Sequence, residues 1–368
     1  MNKIEKVSVV LPSLDPDEKL LGVIHGLIQQ GFSQIILVDD GSKPENLHYF
    51  EKAAACPQVT LLHHEGNRGK GAALKTAFRW FLDNCPDGAG VVTVDGDGQH
   101  HCEDTVACAR KMLESGKIVL GVRDFTGPEV PRRSRFGNQT TSAVFKIFVG
   151  MTISDTQTGL RAIPRQYLKR LCAVSGDRFE YETNMLLAMK EYYIPFVQQK
   201  IRTVYIEENK SSHFRAVQDS WRIYKLILAH FFKFIGSSFV ASVVDEVLFV
   251  ALTHCLGGWL DSFALTLVPF LVARVLSSLI NFRMNQRLVF CSSQDSGKAL
   301  LRYFYLAVPV ALAQLGLTYG AYLLFHIGEE QVVFRGLIYA GVMVALFIFN
   351  FIIQQRWVFA SDREDSKK

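Results

Sequence analysis

Four long apolar stretches, at about 234–256, 263–282, 303–325 and 332–353, limit what this chain can fold into. Each is near the roughly 20 residues a helix needs to cross a bilayer. A chain in lipid must satisfy its backbone internally, and a lone apolar stretch of that length does so as a helix. Residues 233–360 are therefore expected to form an all-α, four-helix transmembrane domain, followed by a polar tail at 361–368. Lys233, Arg283, Arg287, Lys298, Arg302 and Arg356 flank one side of the spans, whereas the opposite loops carry Asp261, Glu329 and Glu330. The positive-inside rule places the cationic side in the cytosol. The expectation is a multi-pass protein of the cytoplasmic membrane with both ends cytosolic.

This half is also duplicated. Asn281-Phe282-x-x-Asn285-Gln286-Arg287-x-Val289-Phe290 recurs 69 residues later as Asn350-Phe351-x-x-Gln354-Gln355-Arg356-x-Val358-Phe359. Two helices per repeat imply a parallel duplication about an axis along the membrane normal. Asp245, Glu246 and Arg274 fall near the middles of the first two spans, and Gln314 stands at the repeat equivalent of Asp245. Charges at that depth are costly and usually face a bundle interior or a polar path. An Asp245–Arg274 pair is expected, either lining a route for lipid head groups or fixing helix packing. Before the first span, residues 214–232 mix Arg215, Arg222 and Lys225 with Trp221, Leu226 and Phe231, as in an amphipathic helix lying at a membrane surface.

Residues 1–213 read differently. Apolar runs at Val7–Leu11, Ile35–Val38, Val59–His63, Val91–Val94 and Ile118–Val122 alternate with helical patterns near 20–30, 72–82 and 104–115. That alternation predicts an α/β domain with a mainly parallel sheet. Nothing resembling a signal peptide precedes the first strand, and seven scattered cysteines without a C-x-x-C pair fit a reducing compartment. The net charge of +5 comes without a nucleic-acid motif, so no nucleic-acid partner is expected.

Several strands end in polar residues, and the run Val91–Gln99 does so most sharply, in Asp95-Gly96-Asp97-Gly98-Gln99. Strand ends of open α/β sheets are where ligands bind. Carboxylates two apart on an extended chain point the same way and repel unless a cation separates them. A hard divalent ion, Mg2+ or Mn2+, shared with substrate phosphates is the usual resolution. The histidine doublets His63-His64 and His100-His101 read as loop residues rather than ligands, because such a site has little need of imidazole.

Asp39-Asp40-Gly41-Ser42, Asn67-x-Gly69-Lys70-Gly71 and Asp95-Gly96-Asp97-Gly98-Gln99 resemble, in order, the signatures of family 2 glycosyltransferases with the Rossmann-like GT-A fold. Gly121-Val122-Arg123, Arg133-Ser134-Arg135-Phe136-Gly137-Asn138 and Asp155-Thr156-Gln157-Thr158-Gly159-Leu160-Arg161 resemble the polyprenyl-phosphate branch of that family. The membrane half resembles the GtrA family of four-span proteins. The resemblance implies nucleotide-sugar contacts from Pro12, Ser13, Asp39, Asp40, Asn67, Lys70, Asp95, Gly96 and Asp155. It implies a metal on Asp95, Asp97 and Gln99, with Asp95, Asp97, Arg123, Arg133 and Arg135 forming the catalytic group. Asp155 would shape the sugar pocket or help place the acceptor. Arg123 and Arg135 would face the acceptor phosphate. Relatives often place an arginine after the strand that leads to the membrane; here Val204-Tyr205-Ile206-Glu207-Glu208-Asn209 carries an acid. Arg202, Lys210, His213 and Arg215 are left as alternative sources of that charge. The segment Gln354-Gln355-Arg356-Trp357 nearly imitates the Gln-x-x-Arg-Trp of processive synthases, but Ile353 stands at the required glutamine.

The chemistry follows. A phosphate monoester, with a second pKa of about 6, is already a nucleophile near neutral pH. It needs cations against donor repulsion rather than a general base, and arginine suits phosphate oxygens. The expected reaction is an inverting, metal-dependent transfer of a hexose from a nucleotide sugar to a polyprenyl phosphate at the cytosolic face, for cell-envelope glycan modification. UDP-glucose or UDP-N-acetylglucosamine is favoured as donor, with GDP-mannose next. The alternatives are a lipid-sugar transporter with a nucleotide-sugar-binding domain and a transferase to a non-lipid hydroxyl. A homo-oligomer is left open.

Overall fold

A computed structural model describes residues 3–125, 127, 130, 132–202, 216–256, 258–259, 261–290, 292, 294–327 and 331–360. The chain divides into two compact units, Met1–Ile227 and Leu228–Lys368.

Among its described residues the first unit is built on seven strands: β1 (Val7–Ser13), β2 (Ile35–Asp39), β3 (Val59–His63), β4 (Gly90–Thr93), β5 (Ile118–Arg123), β6 (Arg161–Pro164) and β7 (Phe196–Ile201). Their order is β3-β2-β1-β4-β6-β5-β7. All neighbours run parallel except β6, which is antiparallel to both β4 and β5. β1, β2 and β4 are buried almost throughout because helices cover both sheet faces, and so they read as unbroken apolar runs. Successive residues feed opposite cores. Val10, Ile36, Val38 and Val91 pack with α3 (Lys70–Asn84), α6 (Arg165–Cys172) and α7 (Glu180–Glu191). Val9, Leu11, Ile35, Leu37 and Val92 pack with α1 (Lys19–Gln29), α2 (Leu47–Ala54) and α4 (Cys102–Ser115). A further helix of this unit, α5, covers Arg132–Val144.

The sequence order of the strands reverses at β1, which lies between β2 and β4. The crevice beyond its carboxyl end is a topological switch point, the usual ligand position of open α/β sheets. Register brings Ser13 opposite Asp39, Asp39 opposite His63, and Thr93 opposite Arg161 along that same edge. Antiparallel β6 starts where its neighbours stop, and so delivers the 155–160 segment to the crevice.

Among the described residues of the second unit, four helices are long and apolar enough to cross a membrane, covering Phe231–Leu256, Ser262–Val289, Ser296–Leu324 and Val332–Val358. From residue 216 on, the segment expected as an interfacial helix and the first span are one unbroken helix, α8 (Ala216–Leu256). No proline interrupts that stretch, so nothing in the backbone requires a break. α9 (Ser262–Met284), α10 (Ser296–Leu324) and α11 (Val332–Ile353) follow. The duplicated motif has a structural counterpart: α9 and α11 both end in a π-helical turn, at Asn285–Val289 and Gln354–Val358. Asn285 donates its side-chain amide to Gln354 at 3.1 Å, joining repeat-equivalent residues. Ser237 completes this buried polar lock by donating to Asn285 at 2.5 Å.

Candidate active site

The acidic doublet after β2 is wired into the loop that opens α3. Asp40, 4% exposed, accepts from the Arg68 and Gly69 backbone amides at 3.0 and 2.7 Å, and His64 Nδ1 lies 2.7 Å from the same carboxylate. His64 Nε2 meets the Thr76 hydroxyl on α3 at 2.9 Å. Asp39 accepts from the Ser42 amide at 2.8 Å and lies 3.0 Å from His63 Nδ1. The turn leaves no room for larger residues. Gly41 and Gly69 hold φ of +78° and +101°, and a Cβ on Gly41 would collide with Gly66, so glycine is required at both. The two sequence signatures are thus one folded device, which sets Lys70 at the first position of α3.

Lys70 Nζ lies 2.8 Å from Asp95 and 3.2 Å from Glu182 on α7. Burial works against its ammonium, but the Asp95 and Glu182 carboxylates outweigh that and hold the pKa above the ordinary lysine value. Desolvation of half-buried Asp95 favours its neutral form; Lys70 and His100 overcome this and keep it ionised well below the usual carboxylate range. His100 Nε2 lies 3.7 Å from Asp95, and its other ring nitrogen is buried without a hydrogen-bond partner. Asp97 behaves in the opposite way. Its pKa is raised by burial and by the neighbouring Asp95 charge, although the Gln99 amide donates to it at 3.0 Å.

This donor set fits a hard divalent ion. Asp95 and Asp97 supply carboxylate oxygens, and the raised pKa of Asp97 marks a place where added positive charge is favourable. Among the described residues no group of three or more His, Cys, Asp or Glu side chains could hold a metal unaided. Two protein carboxylates completed by substrate phosphates is how Mg2+ is usually held.

The 155–160 segment closes this side of the crevice. Thr93 donates its hydroxyl to Gly159 O at 2.6 Å, and a side chain on Gly159 would strike Asp95. Asp155 is fully buried and accepts from Arg123 Nε and Nη2 at 2.7 and 3.2 Å. Arg161, also buried, donates to Thr158 O at 3.1 Å and Glu182 O at 2.7 Å, and one of its terminal nitrogens has no partner. Pro12 and Ser13 are half-buried at the β1 tip, Ser13 beside Gly96, while Asn67 is exposed in its loop.

Other expected cations are spent on protein groups. Arg135 donates to the Phe125 and Gly127 carbonyls at 3.1 and 2.6 Å. Arg202 is drawn to Glu103 and Asp104, at 2.5 and 3.2 Å. The Arg133 side chain, Lys210, His213, Arg215 and the 204–209 segment lie outside the described residues. In the second unit Asp245 and Arg274 do pair, at 3.1 Å, whereas Gln314 is half-buried on α10 without a hydrogen bond to either. Glu182, Arg161, His64 and His100 were not foreseen as site residues. The histidine doublets at strand ends facing acidic doublets were the available signal, and nothing local marked Glu182.

An acidic pair at the switch point of an α/β unit, in a chain that also carries four helices long and apolar enough to span a membrane, defines the class as a membrane protein with a Rossmann-like domain. The chain is a glycosyltransferase. Residues 8–172 match the glycosyl transferase family 2 model and residues 233–359 the GtrA/DPMS transmembrane domain. Similar proteins include an uncharacterized protein of Methanocaldococcus jannaschii, 28% identical over 240 residues, or 63% of this chain and 96% of that one. A UDP-N-acetylglucosamine–dolichyl-phosphate N-acetylglucosaminyltransferase of Methanococcus voltae is 26% identical over 219 residues, 55% of this chain and 86% of that one. An undecaprenyl-phosphate mannosyltransferase of Micrococcus luteus is 25% identical over 189 residues, 49% of this chain and 76% of that one.

Proposed function

We propose that this protein transfers a hexose from a nucleotide sugar to a polyprenyl phosphate at the cytosolic face of the cytoplasmic membrane, with inversion at the anomeric carbon. The observation that carries this reading is the Asp95–Asp97 pair at the switch point with Lys70 against it. Relatives named for dolichyl- and undecaprenyl-phosphate transfer support the acceptor. UDP-N-acetylglucosamine and UDP-glucose are the favoured donors, then GDP-mannose.

Asp95 and Asp97 would hold Mg2+ or Mn2+, which would supply Lewis-acid stabilisation of the departing diphosphate. Lys70 adds fixed positive charge at the same spot. Asp155 fixes the Arg123 guanidinium, and Arg123 and Arg133 offset repulsion between the acceptor phosphate and the donor. No side chain need take a proton, because the attacking phosphate oxygen carries none.

The test uses membranes from cells producing the full chain or its Asp97→Ala variant, incubated with each radiolabelled donor. Label in the solvent-extractable lipid, absent from the variant, is the expected result. Label confined to protein or polysaccharide would replace the lipid acceptor with a hydroxyl.

A further inference from the structure

The four-span unit turns charge outward at mid-membrane. The Asp245–Arg274 pair is buttressed by Ser277, which donates its hydroxyl to Asp245 at 2.8 Å. The pair is not enclosed: the Arg274 side chain is 60% exposed. Glu246, the next residue on α8, is exposed too, and among the described residues it has no hydrogen-bonding or charged partner. Exposed Val243, Val247 and Val250 on α8 and Phe270 and Leu271 on α9 surround these groups. Ionisable groups turned to lipid at that depth are costly, and in membrane proteins they face protein or a polar path.

Two contacts set the antiparallel register of α8 against α9, Ser237 with Asn285 and Asp245 with Ser277. In that register Arg274 lies level with Leu248. Glu246 is therefore about 3 Å of helix rise away in depth, at 1.5 Å per residue. Two neighbouring helices thus carry, at nearly one depth, an exposed carboxylate and a largely exposed guanidinium, and a face formed by both would be complementary to itself.

We infer that this face is an interface between two copies of this chain, related by a twofold axis along the membrane normal. Such an axis keeps every residue at its own depth. Glu246 of one copy meets Arg274 of the other, and the reverse contact forms at the same time. The guanidinium has donors enough to keep Asp245 while receiving Glu246. The two reciprocal contacts remove the lipid-facing charge from both copies.

The test measures energy transfer between separately labelled full-length copies reconstituted together in phospholipid vesicles, over a range of protein-to-lipid ratios. Wild-type protein is expected to associate. Glu246→Gln, which leaves the Asp245–Arg274 pair intact, should weaken association about tenfold through loss of two interhelical contacts. Glu246→Arg copies should not self-associate, yet should pair with Arg274→Glu copies, where one contact returns with its charges exchanged and the other is the wild-type pair. Wild-type protein that stays monomeric overturns the inference, as do Glu246→Gln and Glu246→Arg proteins that associate like wild type.

Discussion

Asp40 offers the sharpest separation between a structural clamp and a substrate contact. Its buried carboxylate accepts the Arg68 and Gly69 amides at 3.0 and 2.7 Å and meets His64 at 2.7 Å. Hydrogen bonds to a charged group contribute about 1.5–3 kcal/mol each, and a buried donor left without a partner costs about 1–3 kcal/mol. Asp40→Ala strands two backbone donors and His64 together, so a local loss of about 3–5 kcal/mol is expected. Asp40→Asn keeps one acceptor oxygen, and should lose about 2 kcal/mol. The readout is hydrogen exchange of the peptide spanning residues 64–72 in the full-length protein. For Asp40→Asn, a loss of about 2 kcal/mol raises exchange of the Arg68 and Gly69 amides roughly 30-fold, at tenfold per 1.4 kcal/mol. Unchanged exchange together with lost nucleotide-sugar affinity would refute the clamp and make Asp40 a ligand contact instead.

Three further outcomes follow from the same geometry. Because burial and Asp95 raise the Asp97 pKa, metal binding must displace a proton at pH values where an ordinary aspartate is already ionised. Mn2+ affinity, read by paramagnetic relaxation, should fall about tenfold per pH unit once pH drops below that raised value. Asp155→Ala strands the Arg123 guanidinium against a fully buried site; it should destabilise the first unit by about 3 kcal/mol in thermal melts, since breaking a buried pair costs about 3–5 kcal/mol and Arg123 is partly solvated. Asn285→Leu removes the buried link to Gln354 and Ser237; it should cost about 1–2 kcal/mol in SDS unfolding of the full-length protein, with sugar transfer unchanged.

The strands that hold the crevice were legible because both faces of the sheet are covered. Val7–Leu11 and Ile35–Val38 are apolar at every position but Ser8, and a parallel buried strand needs nothing subtler. The four spans were legible for a similar reason, since lipid imposes length and composition directly. Asn285 and Gln354, equivalent positions of the repeated motif, are joined by a hydrogen bond. What could not be read depends on distant partners. β6 is four residues long, begins with an arginine and ends with a proline, which locally looks like a loop. The protein groups that Arg123, Arg135 and Arg202 meet, namely Asp155, two loop carbonyls and the Glu103–Asp104 pair, come from segments that only the fold brings near. Glu182 reaches Lys70 from α7 in the same way.

The most direct test of the transferase reading uses defined components. Purified full-length protein is given undecaprenyl phosphate, Mg2+ or Mn2+, and one donor at a time: UDP-N-acetylglucosamine, UDP-glucose or GDP-mannose. One donor is expected to yield a lipid-phosphate hexose of inverted anomeric configuration, with none formed by Asp97→Ala. If no donor transfers to the lipid while nucleotide sugar still binds, or if the product retains configuration, the proposed reaction is contradicted.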